Sequence, residues 1–214
     1  MPYSTQQLVI FFAFVPVVLA TIIGLLQYRQ LSRPLQYLCW LIFFSALTEG
    51  VSRLLWLQSI HNLFLWPLYI AVEFVLLAAM YRLALKPPWI RRWLTLISIG
   101  FVAYILLTSG WQQGWPMNPL HRLVESVCMI LLALSFFYQV LREAAIVYLE
   151  RTPLFWISAG LILYFSGNIF IFIFSKYILS YSQRINHEAW AIHAILNMIL
   201  YTAYSLALWI GPKK

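Results

Sequence analysis

The stretch PLFWISAGLILYFSGNIFIFIFSKYIL, from Pro153 to Leu179, decides the fold class of this chain. Between Pro153 and Ser175, its only ionisable side chain is that of Tyr164. At about 1.5 Å of rise per residue, one helix of this length crosses the roughly 30 Å hydrocarbon layer of a membrane. The stretch therefore predicts a membrane-spanning helix.

Small and polar side chains recur on one side of this predicted helix. Tyr164 and Asn168 are four residues apart and share a face of a 3.6-residue helix, with Gly160 close beside them. Ile162 and Phe170 fall on the other side. A polar face with small residues suits close packing against further helices, so we expect a bundle.

The rest of the chain supplies those helices. Of its 214 residues, 63% are hydrophobic and 9% are charged, whereas soluble domains carry about 25% charge. This composition leaves no room for a soluble catalytic or kinase domain. It predicts an all-α fold, a single seven-helix membrane domain over residues 1–214. The predicted membrane-spanning helices cover residues 8–26, 35–57, 63–85, 93–109, 120–141, 154–179 and 189–210.

The distribution of basic residues predicts how the chain crosses the membrane. Ten Lys and Arg residues fall on the loops and tail of one side, and three fall on the other. The positive-inside rule then places the N-terminus outside and the C-terminus inside, in a bacterial inner (cytoplasmic) membrane. Basic cytoplasmic loops also explain the net charge of +8, so no nucleic-acid partner is expected.

Acidic residues within the predicted spans are the first candidates for function. All six acids are Glu, and Glu49, Glu73 and Glu125 lie inside spans. A charge at this depth costs several kcal/mol, so each carboxyl group is expected to have a partner or to be protonated. Glu49 has Arg53 at i,i+4. Glu73 has no basic residue within one turn, which favours a partner from another helix.

In the predicted orientation, these acids and other polar side chains lie near the middle or in the outer half of their spans. We therefore expect them to converge on a pocket that is open to the outside. The alternative is that they only hold the helices together, at about 1 kcal/mol or less per contact. The Trp side chains near span ends, including Trp66 and Trp190, are interpreted as interfacial anchors. The candidate ligand-binding residues are Glu49, Arg53, Glu73, Arg122, Glu125, Asn168, His193 and Asn197.

Familiar catalytic motifs do not occur in this sequence. It contains no Asp, no HExxH, no Cys cluster, no GxSxG and no P-loop. A metal site would need ligands from separate helices, for example Glu73, Glu125 and His193. The sequence identifies neither a metal nor a cofactor and no catalytic residue, and it favours a protein that is not an enzyme.

One set of short motifs resembles a known group of proteins. The set comprises YFSGN at 164–168, EF at 73–74 and IHA at 192–194, together with Arg122 and Glu125. On these residues the chain resembles uncharacterised seven-helix bacterial membrane proteins, found mainly in Bacteroidetes. The resemblance implies an association with sensor histidine kinases and therefore a role in signal transduction. It implies no catalytic residue.

These observations lead to one leading hypothesis and three alternatives. The leading hypothesis is a sensory or signalling module, a receptor that binds a small or lipophilic ligand in the outer-facing pocket and acts on a cytoplasmic or membrane partner. The alternatives are a transporter or proton-coupled permease, a membrane-embedded lipid-modifying enzyme, and a structural subunit of a membrane complex. All four require the lipid bilayer as a partner.

Overall fold

A computed structural model of the chain describes residues 12–86, 88–109, 118–143, 148–173 and 183–211. Within these residues the fold is all-helical, with no strand, as the composition predicts. Short 3₁₀ turns occupy Tyr28–Gln30 and Leu149–Arg151. The α-helices are α1 (Phe14–Gln27), α2 (Arg33–Leu57), α3 (Leu65–Ala84), α4 (Pro88–Ser109), α5 (Pro119–Glu143), α6 (Pro153–Ile173) and α7 (Gln183–Trp209).

The lengths of these helices are those of a multi-pass membrane protein. Helices α2 to α7 each contain a stretch long and apolar enough to cross a membrane. Helix α1 is shorter, with 14 residues. The first predicted span begins at about residue 8, and residues 1–11 lie outside the described part of the chain. The all-α fold is confirmed, and seven as the number of spans stays a prediction.

Two helices begin earlier along the chain than predicted. Helix α4 begins at Pro88 rather than near residue 93, and α7 begins at Gln183 rather than near residue 189. Hydropathy marks only the part of a helix that lies in hydrocarbon, whereas backbone hydrogen bonds continue into polar sequence. Pro88 also suits a first helical position, because its missing N–H would have no helical partner there. The predicted end of the sixth span, at residue 179, lies outside the described residues.

Six helices close into a ring, and α4 lies outside it. The neighbouring helices of the ring pack in pairs, which are α1–α2, α2–α3, α3–α5, α5–α6, α6–α7 and α7–α1. Helix α4 packs chiefly along α3, where the Phe74 and Phe101 rings stack with their centroids 4.2 Å apart. This arrangement gives the bundle an interior, lined by six helices, in which polar side chains can meet.

Apolar side chains cover much of the outer surface of the bundle, and several charged side chains are buried inside it. Large apolar side chains such as Leu26 and Leu141 are among the most exposed, at 76% and 81%. The buried set includes Glu73, Arg122 and Glu125. Hydrocarbon outside the bundle favours apolar surfaces, so polar groups gain by turning inward. Many Ser and Thr hydroxyls instead donate to the carbonyl oxygen four residues earlier, which satisfies them locally.

The polar face expected on the sixth span is present in α6. Gly160, Tyr164 and Asn168 are buried, whereas Phe170 is 68% exposed. The buried face packs on α5 and α7. The small residue at position 160 allows close approach, because a Cβ atom there would lie 2.9 Å from the Ala203 Cβ.

Candidate ligand-binding site

Arg122, near the start of α5, is the centre of the polar interior. Its side chain is 3% exposed, and its Nη1 atom donates to carboxylate oxygens of both Glu73 and Glu125. The bond to Glu125, one turn along the same helix, is 2.6 Å long. Its Nη2 atom donates to the Tyr164 hydroxyl at 2.6 Å. We call Glu73, Arg122, Glu125 and Tyr164 the ion-pair network.

Four aromatic rings surround the Arg122 guanidinium. The centroids of Trp66, Tyr69, Tyr164 and Phe165 lie 5.3–6.0 Å from its Cζ atom. Away from water, a guanidinium over an aromatic face gains about 2 kcal/mol or more. The rings therefore replace part of the hydration that Arg122 loses on burial. They also hold the guanidinium in one position.

The charges within the ion-pair network do not balance. When all groups are ionised, two carboxylates face one guanidinium, which leaves a net charge of −1. Glu125 is fully buried, and its Oε1 atom has no hydrogen-bond partner in the described structure. Buried ion pairs repay their desolvation only when the remaining polar atoms are also satisfied. A proton, a cation or a ligand donor would complete this network.

A pocket of about 420 Å³ lies against the ion-pair network. It is bounded by α2, α3, α5, α6, α7 and the loop between α2 and α3, and we call it the network pocket. Among its lining residues are the predicted site residues Glu49, Arg53, Arg122, His193 and Asn197. It therefore lies at the end of the bundle where α2 ends and α3 begins. We call this end the pocket end.

A hydrogen bond to Asn168 holds the His193 ring in place. The Nδ1 atom of His193 and the Oδ1 atom of Asn168 are 2.6 Å apart, so in this amide orientation Nδ1 carries the proton and donates it. The Nε2 atom of His193 is then a hydrogen-bond acceptor. Asn168 is fully buried, and its Nδ2 atom has no partner among the described residues. A further acceptor near Asn168 would satisfy that donor.

Glu49 and Arg53 form the exposed rim of the network pocket. Their carboxylate and guanidinium are 3.3 Å apart, and the side chains are 42% and 49% exposed. The Arg53 guanidinium also lies over the Phe14 ring, 5.4 Å from its centroid. Exposed pairs of this kind contribute about 0–1 kcal/mol to stability. Their charges are therefore available to a ligand at the pocket mouth.

The structure brings the eight predicted site residues into one region. Five of them line the network pocket. Glu73 and Glu125 lie in the ion-pair network, and Asn168 supports His193. The partner from another helix that Glu73 required is Arg122, which is 49 residues away in sequence. Whether these residues bind a ligand stays a prediction.

Sequence reasoning missed part of the pocket wall. Trp66 and Trp190, interpreted as interfacial anchors, both line the pocket, and the Trp66 Nε1 atom is buried without a partner in the described part of the chain. Tyr69 also lines it and donates to Glu73 Oε1 at 3.4 Å. The i,i+4 spacing of Tyr69 and Glu73 was an available signal. The two Trp residues lie on different helices, and each was assigned as an anchor because it lies near the end of its span.

The metal-binding alternative has no arrangement to support it among the described residues. No three His, Cys, Asp or Glu side chains there come together as a group that could hold a metal ion. Glu73 and Glu125 share Arg122 instead, and His193 is bonded to Asn168. The carboxylates are therefore engaged by a guanidinium.

Comparisons with protein-family models, with curated proteins and with solved structures find no match to this chain. The resemblance to seven-helix membrane proteins associated with histidine kinases therefore stays a prediction. The network pocket and the ion-pair network beneath it are the features of the molecule that bear on function.

Proposed function

We propose that this chain is the sensory module of a bacterial inner-membrane signalling system, and that the network pocket binds a small amphipathic ligand. Ligand binding acts on a cytoplasmic or membrane partner, such as a sensor histidine kinase. One observation carries the proposal: a pocket open at one end of the bundle has a floor of buried, pre-positioned charged groups. Such concave sites with a few fixed polar groups are typical of ligand binding.

The chemistry of the pocket wall indicates the class of ligand. Trp66 and Arg122 both line the pocket, and their Nε1 and Nε atoms are buried donors without partners in the described structure. Leaving such a donor unsatisfied costs about 1–3 kcal/mol, so a ligand oxygen that accepts a hydrogen bond is favoured. When ionised, the three Glu and two Arg among the predicted site residues carry a net charge of −1. An anionic ligand is therefore disfavoured, and a neutral or cationic one fits.

The position of the pocket offers a route from binding to signalling. Its lining residues come from five helices of the ring, so an occupant contacts all five at once. A ligand that fits one packing of these helices better than another shifts the population toward that packing. The change is then available at the opposite end of the bundle, where Arg82, Arg91 and Arg92 lie. The Lys and Arg distribution supports a cytoplasmic location for that end.

Filling the network pocket is expected to abolish ligand binding. We expect a panel of small neutral and cationic amphipathic compounds to include at least one that stabilises the detergent-purified protein. At a concentration of 100 times Kd, binding stabilises the folded state by about 2.7 kcal/mol. The Thr48→Trp variant places a large ring in the pocket and should lose this stabilisation. Thermal unfolding with and without each compound measures it.

The matched control is Leu47→Trp, on the 65%-exposed neighbouring position of the same helix. This variant should bind as the unchanged protein does. A compound that stabilises Thr48→Trp as strongly as the unchanged protein binds elsewhere. If every stabilising compound behaves in that way, the network pocket is not the ligand site.

A second candidate function, proton-coupled transport, is supported by a column of tyrosine side chains that begins at the network pocket. Tyr69 connects Glu73 to Ser45, with its hydroxyl 3.3 Å from the Ser45 Oγ. The rings of Tyr201 and Tyr204 follow, with centroids 5.5 Å apart. Near the far end of α3, a fourth tyrosine, Tyr81, bonds the Ser158 hydroxyl at 2.8 Å. Hydroxyl groups thus extend from the ion-pair network toward the opposite end of the bundle.

The variant Tyr204→Phe separates transport from sensing. The Tyr204 hydroxyl is buried and has no hydrogen-bond partner in the described residues, so its removal breaks no hydrogen bond there and should not lower the free energy of unfolding. If the column carries protons, proteoliposomes containing a pH-sensitive dye should show proton uptake driven by a potassium diffusion potential. The Tyr204→Phe variant should reduce this uptake to the level of protein-free liposomes.

The control for this experiment is Tyr138→Phe, which removes a hydroxyl from a side chain that is 66% exposed. It should leave proton uptake unchanged. Uptake by the unchanged protein that equals uptake by protein-free liposomes would eliminate transport and leave sensing as the surviving candidate.

A further inference from the structure

An apolar groove runs between α3 and α4, on the outside of the helix ring. It has two segments of about 700 and 510 Å³, which share Val75, Val102 and Leu106. The larger segment lies toward the pocket end and is lined by apolar side chains. The smaller segment extends to Arg82, in the last turn of α3. We call the two segments together the α3–α4 groove.

Small side chains create the smaller segment of this groove. Ala78 and Ala79 on α3 face Ser98 and Ala103 on α4, so the two helices pack without filling the space beside their contact. A concave apolar surface on the outside of a membrane bundle faces lipid rather than water. Acyl chains of the surrounding lipid can fill this groove and make the dispersion contacts that an empty groove would lack.

Among the described residues that line the α3–α4 groove, Arg82 is the only one with a charged side chain. Thr95 and Ser98 also line it, but their hydroxyls donate to carbonyl oxygens of their own helix, at 3.0 and 2.7 Å. The carboxylate of Glu143, at the end of α5, accepts a 2.5 Å bond from Lys86. Arg82 is therefore the polar group that the groove offers to an occupant.

The surroundings of Arg82 are positively charged. Arg91 and Arg92 lie near the start of α4, at the same end of the bundle, and both are exposed. Within the described part of the chain, Arg82, Arg91 and Arg92 form no salt bridge. Arginine binds phosphate oxygens through two parallel N–H donors. A zwitterionic head group would bring its own ammonium into this positive field, whereas an anionic one would not.

The α3–α4 groove is long enough for an acyl chain to cross one leaflet of a bilayer, since its lining continues along α3 from Arg82 past Ala71 to Pro67. Ala71 is eleven residues before Arg82 on α3, which corresponds to about 16 Å along the helix. Half of the hydrocarbon layer is roughly 15 Å thick. An acyl chain whose phosphate lies at Arg82 therefore extends through the smaller segment into the part that both segments share.

A second groove, between α6 and α7, provides an internal comparison. It has a volume of about 460 Å³ and includes Ala159, Gly160 and Thr202 in its lining. None of the described residues in its lining has an ionisable side chain. It should therefore take acyl chains without selecting the charge of the head group.

We propose that the α3–α4 groove is a binding site for an anionic phospholipid, with the phosphate bound by Arg82 and the acyl chain packed against Ala79 and Val102. This proposal does not rest on the sensory function, because the groove lies outside the ring and has no described lining residue in common with the network pocket. Its failure would leave the sensory proposal intact.

Native mass spectrometry of the purified full chain tests the proposal. The protein is incubated in mixed micelles that contain equal amounts of phosphatidylglycerol and phosphatidylcholine with identical acyl chains. We expect the unchanged protein to retain the anionic lipid over the zwitterionic one by roughly fivefold, the value typical of one basic residue near a membrane surface. The Arg82→Gln variant should lose most of this preference.

Two further variants separate the groove from general lipid binding. Ala79→Leu fills the smaller segment and should lower the retention of the anionic lipid severalfold. Ala159→Leu makes the same change at a half-buried alanine of the α6–α7 groove and should preserve the preference. The proposal fails if the unchanged protein shows no preference, if Arg82→Gln keeps the full preference, or if the two leucine variants behave alike. Arg82 is exposed, so its variant gives a result even where Ala79→Leu does not fold.

Discussion

Replacing Arg122 with leucine is expected to lower the free energy of unfolding by about 3–5 kcal/mol. The substitution removes the partner of two buried carboxylates, Glu73 and Glu125, and also removes a donor to the Tyr164 hydroxyl. Two carboxylates without a counter-charge then share a site away from water. Unfolding of the detergent-purified protein, followed by circular dichroism, measures the loss.

Two controls identify the cause of this loss. Arg53→Leu removes an arginine from an ion pair that is about half exposed, and should cost no more than about 1 kcal/mol. The triple variant Glu73→Gln, Glu125→Gln, Arg122→Leu removes every charge of the network. It should recover much of the lost stability, because replacing a whole buried ion pair is often close to neutral. Equal costs for Arg122→Leu and Arg53→Leu would contradict the proposed network.

Replacing Gly160 with leucine is expected to lower the free energy of unfolding by about 1–3 kcal/mol. A Cβ at this position would meet the Ala203 Cβ at 2.9 Å and the Leu200 Cδ1 at 3.4 Å. The first of these neighbours is fixed directly to the α7 backbone, so the added side chain must push α6 and α7 apart. Thermal unfolding of the purified variant is the measurement.

Gly100 provides the matched position for this experiment. It is also a helical glycine, and a Cβ there meets no atom within 4 Å. The Gly100→Leu variant should be as stable as the unchanged protein or slightly more stable, since glycine in a helix interior costs about 0.5–1 kcal/mol relative to alanine. Equal stability of Gly160→Leu and Gly100→Leu would show that close packing of α6 on α7 contributes nothing.

Sequence patterns predict most of the helices because the bilayer imposes a strong length requirement. The run from Pro153 onward has to be helical, since exposed backbone groups cannot be satisfied in hydrocarbon. The same reasoning gives all-α architecture and a buried polar face on α6. It does not give the residues at which α4 and α7 begin, because helical hydrogen bonding starts before the apolar segment.

Local spacing in the sequence predicts some contacts of the candidate site and cannot predict others. Spacing identifies the Glu49–Arg53 pair, because both residues lie on one helix. It also marks Glu73 as needing a partner. It cannot identify that partner as Arg122, because which helices are neighbours depends on the packing of the whole ring. Which aromatic rings surround Arg122 also depends on this packing, although the spacing of Tyr69 and Glu73 was a local signal for one of them.

The sequence distance between Glu73 and Arg122 has a consequence for biosynthesis. These residues are 49 positions apart, and Arg122 emerges later from the ribosome. At about 5–20 residues per second, Glu73 is made, and reaches the bilayer, roughly 2–10 s ahead of Arg122. During that interval the nascent α3 needs water, the insertion machinery or a proton to offset its carboxylate. Translation speed between these two helices should therefore influence how much of the newly made protein assembles correctly.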